Sequence, residues 1–400
     1  MSNELSKNSK TSHFLILLTL VISALTSMIY LLLSGLLLID IGETFSVTVA
    51  IAGQIRTFSF IISIVFALLT SIFTLKYDHK LLLQIGLIAY GISAIGCYLA
   101  PNFMAMVASF SLTGIGYALT TTMAFTLAAE LFPVEKRGEI IGWIIAGMSG
   151  SYLIGAFIVP YLQSIGGWRI TFIGYMLPSS ALALVLSTLF IPLDIHSLPK
   201  NAQSSLKESF QNIFSNRSAS LSLVGLLLAM TTGSAVNTYF SSFFREWFTM
   251  TISEVSIIIL FGSTLYTLGS IVSGRMVNRI GRKPLTVVTI LFAGVVIMAF
   301  TRIPDARVSG VFLCVGMLLF GMMDTASTSL IVEQLPMYAG VMMSLSRAVN
   351  QLGFSVGSGL GGVFLLLYGY QDMFLILGTF SIASAIVFHY FTIDPSKRAP

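Results

Sequence analysis

The sequence predicts an all-α membrane protein of twelve transmembrane helices in two pseudo-symmetric six-helix bundles. Three observations predict it. The 400 residues are 56% hydrophobic and only 9% charged, too little charge to cover a soluble domain of that length. Twelve long apolar runs follow one another, each at or above the roughly 17–20 residues a membrane span needs. Short motifs at the ends of the runs recur about halfway along the chain, as they would in a duplicated unit.

The runs cover 14–39, 47–73, 81–100, 103–129, 140–162, 170–191, 219–244, 255–274, 284–301, 308–332, 340–368 and 373–393. Hydrocarbon offers a backbone amide no water, so each run must close its hydrogen bonds internally, as a helix. A closed barrel would alternate polar and apolar residues, and these runs do not. The first run follows Lys7 and Lys10, as the core of a signal peptide would, but it is too long for a cleaved segment and reads as a retained helix. Runs 47–73 and 340–368 exceed what a bilayer requires and are expected to tilt or protrude.

Orientation follows from lysine and arginine. With the N-terminus in the cytoplasm, the inner side receives 15 of them, from Lys7 to Arg398. The outer side receives Arg169, Arg245, Arg302 and Arg307 and no lysine. This bias places both termini in the cytoplasm, with the cell membrane as the expected location. The net charge of +5 therefore reads as topology. The basic residues are spread over short loops, so nucleic acid is not an expected partner.

Cys97 and Cys314 lie inside apolar runs, and no His/Cys spacing suggests a metal site. The four histidines (His13, His79, His196, His389) all fall near the inner face. No cofactor is expected.

The chain divides into an N-terminal bundle (1–191), a polar cytoplasmic linker (192–218) and a C-terminal bundle (219–400). In the linker, Ser205 and Glu208 form a capping box. Leu206, Phe210, Ile213 and Phe214 then recur at helical spacing, which predicts a short interfacial helix. The halves repeat: Glu130-Leu-Phe-Pro133 matches Glu333-Gln-Leu-Pro336, and Lys80 matches Lys283, both pairs 203 positions apart. Gly167-Trp168 matches Gly369-Tyr370 at an offset of 202. Two parallel six-helix halves imply a substrate path between them. Gly147, Ser151 and Gly155 line one face of the fifth run, and Gly353, Gly357 and Gly361 one face of the eleventh. Such faces let helix backbones approach closely, and at an interface between the halves they would allow rocking.

At this point the chain resembles the major facilitator superfamily over essentially its whole length. The inner loop Gly274-Arg-Met-Val-Asn278-Arg279-Ile-Gly281-Arg282-Lys283 is similar to that family's signature loop G-x-x-x-D-R-x-G-R-K, with Asn278 in place of Asp. The family's better copy normally follows the second helix. Here that loop is Leu75-Lys-Tyr-Asp-His-Lys80, and the glycine and arginine pattern is mostly lost. Leu131-Phe-Pro-Val-Glu-Lys-Arg-Gly138 and Gly167-Trp168-Arg169 also look like the family.

The nearest look is to its drug/proton antiporter-like branch, with degenerate motifs. The arginine such exporters carry four residues before a glycine in the fourth helix is Phe110 here, before Gly114. The fifth-helix signature G-P-x-x-G-G survives only as Gly155-Ala156-Phe-Ile-Val-Pro160. The resemblance implies that Arg279, Arg282 and Lys283 form a cytoplasmic latch with Glu333, favouring an outward-open state. A weaker counterpart is expected where Glu130 meets Lys80 or Arg137.

Three formal charges lie well inside runs: Arg56, Asp324 and Arg347. A charge at the bilayer centre costs at least ~2.5–3.5 kcal/mol, so each needs a partner, a wet path or a function. At 1.5 Å per residue, Asp324 and Arg347 both sit about 10 Å from the inner ends of their helices. They are placed to form an ion pair, and Asp324 is equally a candidate proton carrier tuned by Arg347. Arg56 lies roughly 13 Å deep from the outside. It could snorkel, pair with Asp324, Asp40 or Glu43, or hold an anionic group of a substrate.

Thr26, Tyr30, Thr121 (the repeat equivalent of Asp324), Asn237, Asn350 and Gln351 are neutral cavity candidates. Met317, Met322, Met323, Met342 and Met343 could supply an adaptable apolar wall.

Together these readings predict a secondary active transporter working by alternating access, acting as a monomer in the bilayer. Its cargo would be a small organic solute, drug-like, amphipathic or anionic, exported or exchanged with possible proton antiport. An uncoupled uniporter or a nutrient or organic-acid uptake permease is the alternative. A membrane enzyme would need a buried catalytic cluster, and a channel a pore of repeated polar residues. The sequence presents neither, and it has no phosphate-binding loop for ATP.

Overall fold

A computed structural model describes residues 2–74, 76–192 and 211–394. Among these the protein is helical, and ten helical stretches are long and apolar enough to cross a membrane. Two of them, Lys136–Phe190 and Pro336–Phe391, run to 55 and 56 residues, about twice a span at 1.5 Å per residue. Each is broken once by glycine: Gly166 and Gly167 leave helical geometry in the first, and Gly369 does so in the second. Gly167 (φ 71°, ψ −170°) and Gly369 (φ 76°, ψ 178°) occupy a region only glycine enters without strain. Each divides its stretch into two span-length segments, so the described residues hold twelve.

The helices are α1 (Ser2–Leu36), α2 (Leu38–Phe45), α3 (Val49–Ala52), α4 (Gln54–Phe73), α5 (His79–Leu99), α6 (Phe103–Leu131), α7 (Val134–Thr171), α8 (Leu177–Phe190), α9 (Arg217–Trp247), α10 (Ile252–Ile280), α11 (Arg282–Phe300), α12 (Ala306–Val332) and α13 (Ala339–Phe391). Their starts are chemically marked. Asn102, Asn216 and Asp305 accept backbone N–H bonds from the first turns of α6, α9 and α12. Thr251 and Glu254 form a reciprocal capping box at α10. Each satisfies donors that a helix end otherwise leaves orphaned. Inside the spans, serine and threonine hydroxyls bond back to carbonyls one turn earlier, as Thr19, Ser23, Thr26 and Ser34 do in α1, so they cost little in hydrocarbon. Large apolar side chains such as Phe157, Leu189 and Phe261 are exposed on the protein surface, where acyl chains would cover them.

The predicted linker helix lies mostly outside the described residues, its capping pair Ser205 and Glu208 included. Residues 211–215 are helical, with Ile213 buried.

The chain forms two compact units: Met1–Val47 with Phe58–Leu198, and Thr48–Thr57 with Pro199–Pro400. The second unit therefore includes α3 and the first turn of α4, a segment that division along the chain would give to the first half. In the first unit, α1 packs closely on α7. A Cβ on Gly147 would stand 2.6 Å from the Val21 carbonyl oxygen. Leu20, Leu83, Leu87, Met123, Leu127 and Ile144 form part of its buried core. In the second unit, α9 packs on the first half of α13 in the same way. A Cβ on Gly353 would lie 3.1 Å from the Leu227 carbonyl oxygen, and one on Gly357 would collide with that of Thr231. Both small-residue faces are thus used within their own units, where close backbone approach is their physical role.

Candidate functional site

Asp324 is positioned by the pairing of α10 with α12. Small residues zip the two helices together. A Cβ on Gly269 would strike the Leu318 carbonyl, and one on Gly321 that of Tyr266. Ser270 and Thr325 share a hydroxyl–hydroxyl bond of 2.7 Å, and Ser273 Oγ donates to the Met322 carbonyl at 2.7 Å. This register sets Tyr266 beside Asp324, and the phenol donates to Asp324 Oδ2 at 2.8 Å. The carboxylate is thereby fixed in direction.

Asp324 opens onto a cavity of about 120 Å³ lined by Leu226, Thr328, Met343, Ser346, Arg347 and Asn350. It is half-buried and Arg347 is exposed. The two charges line the same cavity, one from α12 and one from α13. Arg347 and Asn350 stand three residues apart, on one face of α13, so both reach the same space. The structure thus brings three sequence-predicted residues, Asp324, Arg347 and Asn350, into one cavity. Gln351 follows Asn350 but does not line it. Of the methionines, Met343 lines the cavity, Met342 and Met323 are buried in the core, and Met322 packs against the Val277–Leu285–Ala326 cluster.

Arg56 lies elsewhere in the second unit. It is 1% exposed and donates through Nη1 to Asn237 Oδ1 at 2.9 Å and Thr238 Oγ1 at 3.0 Å. Around it, Gln54 Nε2 reaches the Gly359 carbonyl, Thr57 meets Ser358 at 2.9 Å, and Tyr239 donates to the Ser358 carbonyl. Arg56 and Asn237, singled out separately in the sequence, are thus partners. Asp40, named as an alternative partner, accepts from Gln163 Nε2 at 3.1 Å.

In the first unit the candidates are packed rather than open. Thr26 is buried, with its hydroxyl on the Ile22 carbonyl. Tyr30 is enclosed by Phe60, Tyr90, Phe110 and Tyr117, with ring centroids 5.8–6.4 Å away. Thr121 donates to the Tyr117 carbonyl at 2.6 Å.

At the ends expected to face the cytoplasm, Arg282 forms an ion pair with Glu333, and its Nε donates to Ser329 Oγ at 2.8 Å. Lys283 donates to the Thr392 carbonyl at 2.7 Å, capping the end of α13 as a cation should. Gly281, at φ 94°, makes the turn before them. Arg279 is exposed and a Cβ on Gly274 would meet nothing within 4 Å. The Asn278 side chain lies outside the described residues. In the first unit, Glu130 Oε2 meets His79 Nδ1 at 2.9 Å. Lys80, expected beside Glu130, donates instead to the Thr188 and Ile191 carbonyls, and Arg137 Nε donates to that of Phe132.

Sequence reasoning passed over Tyr266, Thr328 and Ser346, and read His79 only as a histidine near one membrane face. Tyrosine counts as apolar in a hydropathy reading, so Tyr266 was invisible inside its run. The clue was Gly269 three residues on and Gly321 three before Asp324, both marking a close helix crossing. Among the described residues no group of three His, Cys, Asp or Glu side chains could hold a metal ion.

The described residues hold ten stretches long and apolar enough to cross a membrane, and a cavity lined by Asp324 and Arg347 lies among those of the second unit. Residues 16–358 and 250–400 match the Major Facilitator Superfamily, and the chain belongs to that superfamily of transporters. Two curated relatives are similar over most of their length, both from Bacillus subtilis strain 168 and both uncharacterized MFS-type transporters. YbcL is 23% identical over 339 residues, covering 84% of each chain. YwfA is 23% identical over 406 residues, covering 97% of this chain and 95% of that one.

Among solved structures, a D-xylose–proton symporter superposes with a TM-score of 0.81 at 15% identity, over 97% of this chain and 99% of the other. A bacterial homologue of the human lysosomal transporter Spinster gives 0.80 at 15% identity, over 93% and 95%. At such identities the likeness is one of fold.

Proposed function

We propose that this protein is a secondary active transporter of the cell membrane. It moves a small organic solute by alternating access, with residues 1–191 and 219–400 as its two lobes and both termini in the cytoplasm. The observation that carries the reading is the cavity at Asp324. One tyrosine-fixed carboxylate, one arginine and one asparagine meet in a bundle that is otherwise almost free of charge. A carboxylate at that depth is kept for a partner or a function.

Asp324 is the proton-coupling group, and Arg347 biases its protonation. The solute binds at Asp324, Arg347 and Asn350. Arg56 holds Asn237 and Thr238 in place. The Arg282–Glu333 pair and the Lys283 cap form the cytoplasmic latch. If Asp324 is charged only when open to one side, proton binding and release shift the conformational equilibrium and drive flux.

An uncoupled uniporter is the second reading. It is favoured by Phe110, which fills an aromatic cluster where drug/proton antiporters carry arginine. Proteoliposome flux of a compound panel, with and without a pH gradient, separates the two. Coupled transport is expected to lose its response to the gradient in Asp324→Asn. Flux that ignores the gradient in the wild type would establish the uniporter.

A further inference from the structure

We infer that the solute carries a cationic and an anionic group at once, in the manner of an amino acid with an apolar side chain. This rests on the reading of the Asp324 cavity as the solute site. That cavity is lined by one carboxylate and one guanidinium, Asp324 and Arg347, and by no other formal charge. With Asp324 ionised its net charge is therefore zero.

A purely anionic solute would pair with Arg347 and be repelled by Asp324, and a purely cationic one would meet the reverse. Either would import an uncompensated charge into a bundle surrounded by hydrocarbon, where such charges are costly. A zwitterion sets an opposite charge against each of the two and imports no net charge. Its carboxylate faces the Arg347 fork, and its ammonium faces the Asp324 oxygens, which Tyr266 holds in direction. Asn350 and Ser346 supply neutral hydrogen bonds.

At about 120 Å³, where roughly 10–15 Å³ admits one water, the cavity has room for a dipolar head group. Leu226 and Met343 give the same cavity an apolar wall, where a side chain of the solute would lie.

Three probes on one skeleton test this at neutral pH: L-phenylalanine, 2-phenylethylamine and 3-phenylpropionate. They are titrated calorimetrically into the purified full-length protein. The zwitterion is expected to bind about tenfold or more tighter than either singly charged probe. Asp324→Asn should abolish the preference over the anion and keep the preference over the cation, and Arg347→Gln should do the opposite. Because each ratio is taken within one variant, a partly unfolded preparation does not alter it.

Equal affinity of the wild type for all three probes, or no binding of L-phenylalanine at millimolar concentration, overturns the inference. If a singly charged probe binds as tightly as the zwitterion and both substitutions weaken it, the zwitterion falls but the site stands. If all probe binding is indifferent to both substitutions, the site itself falls.

Discussion

At one end of the first unit His79 meets Glu130. At the matching end of the second, 203 positions on in both members, Arg282 meets Glu333. The same correspondence holds at the opposite ends. Trp168 donates to Thr44 where Tyr370 donates to Glu246, both pairs 202 apart. Arg169 caps the Tyr98 carbonyl where Gln371 caps that of Thr301. Lys80 and Lys283 each cap the last helix of their own unit.

The centres differ. Where the second unit has Asp324 on a cavity, the first has Thr121 bonded to its own helix and, a few residues away, a packed aromatic cluster around Tyr30. The ends of the helices preserve the duplicated frame because capping and pairing are demanded by the frame itself. The middle is free of that demand, and there Asp324 of the second half corresponds to a neutral Thr121 in the first.

The most severe test of the shared frame is steric. Gly147→Leu and Gly357→Leu each push a side chain into a backbone carbonyl of the neighbouring helix, which cannot move aside as a flexible side chain would. Overpacking of this kind costs about 1–3 kcal/mol or more, and with rigid backbone as the obstacle the upper end is expected. Both variants should lose monodisperse protein on size-exclusion chromatography. Survival of one with loss of the other would show that the two helix pairs do not bear equivalent loads.

The difference between the centres is sharpened by paired substitutions. Thr121→Val should leave flux near the wild-type level, whereas Tyr266→Phe should reduce it several-fold while protein yield holds. Removing the phenolic hydroxyl deletes one hydrogen bond to a charged group, worth about 1.5–3 kcal/mol, and frees the carboxylate to turn. Flux through reconstituted protein measures both. A Thr121→Val protein as impaired as Tyr266→Phe would put chemistry in both halves.

The twelve spans were legible because lipid forces backbone amides to pair within each span, so length and hydropathy alone reveal them. Glycines 167 and 369 announced the outer turns, and the 203-residue offset announced the duplicated contacts. The cavity was legible only in part. Asp324, Arg347 and Asn350 stood out as polar groups in apolar runs, but nothing in one dimension says that Tyr266 faces Asp324 or that Arg56 faces Asn237. Those pairings depend on the rotation of one helix about its axis against another, which side-chain packing sets. Nor does sequence distance reveal that the first turn of α4 belongs with the second unit, because that assignment is made by hydrogen bonds to residues about 180 and 300 positions away.

The smallest expected effect lies at the His79–Glu130 and Arg282–Glu333 corners. The His79–Glu130 side chains are 4% and 17% exposed, those of Arg282 and Glu333 23% and 36%. The second pair is wet enough for its Coulomb energy to be largely screened, and exposed pairs contribute about 0–1 kcal/mol. The first is drier, and truncating one member of a buried hydrogen bond leaves the other without solvent to replace it, at about 1–3 kcal/mol. His79→Ala should therefore lower the melting temperature in a fixed detergent more than Arg282→Ala does, despite removing the weaker base. The reverse order would mean that permanent charge outweighs burial at these corners, and that the second half owes its inner stability to the arginine the first half lacks.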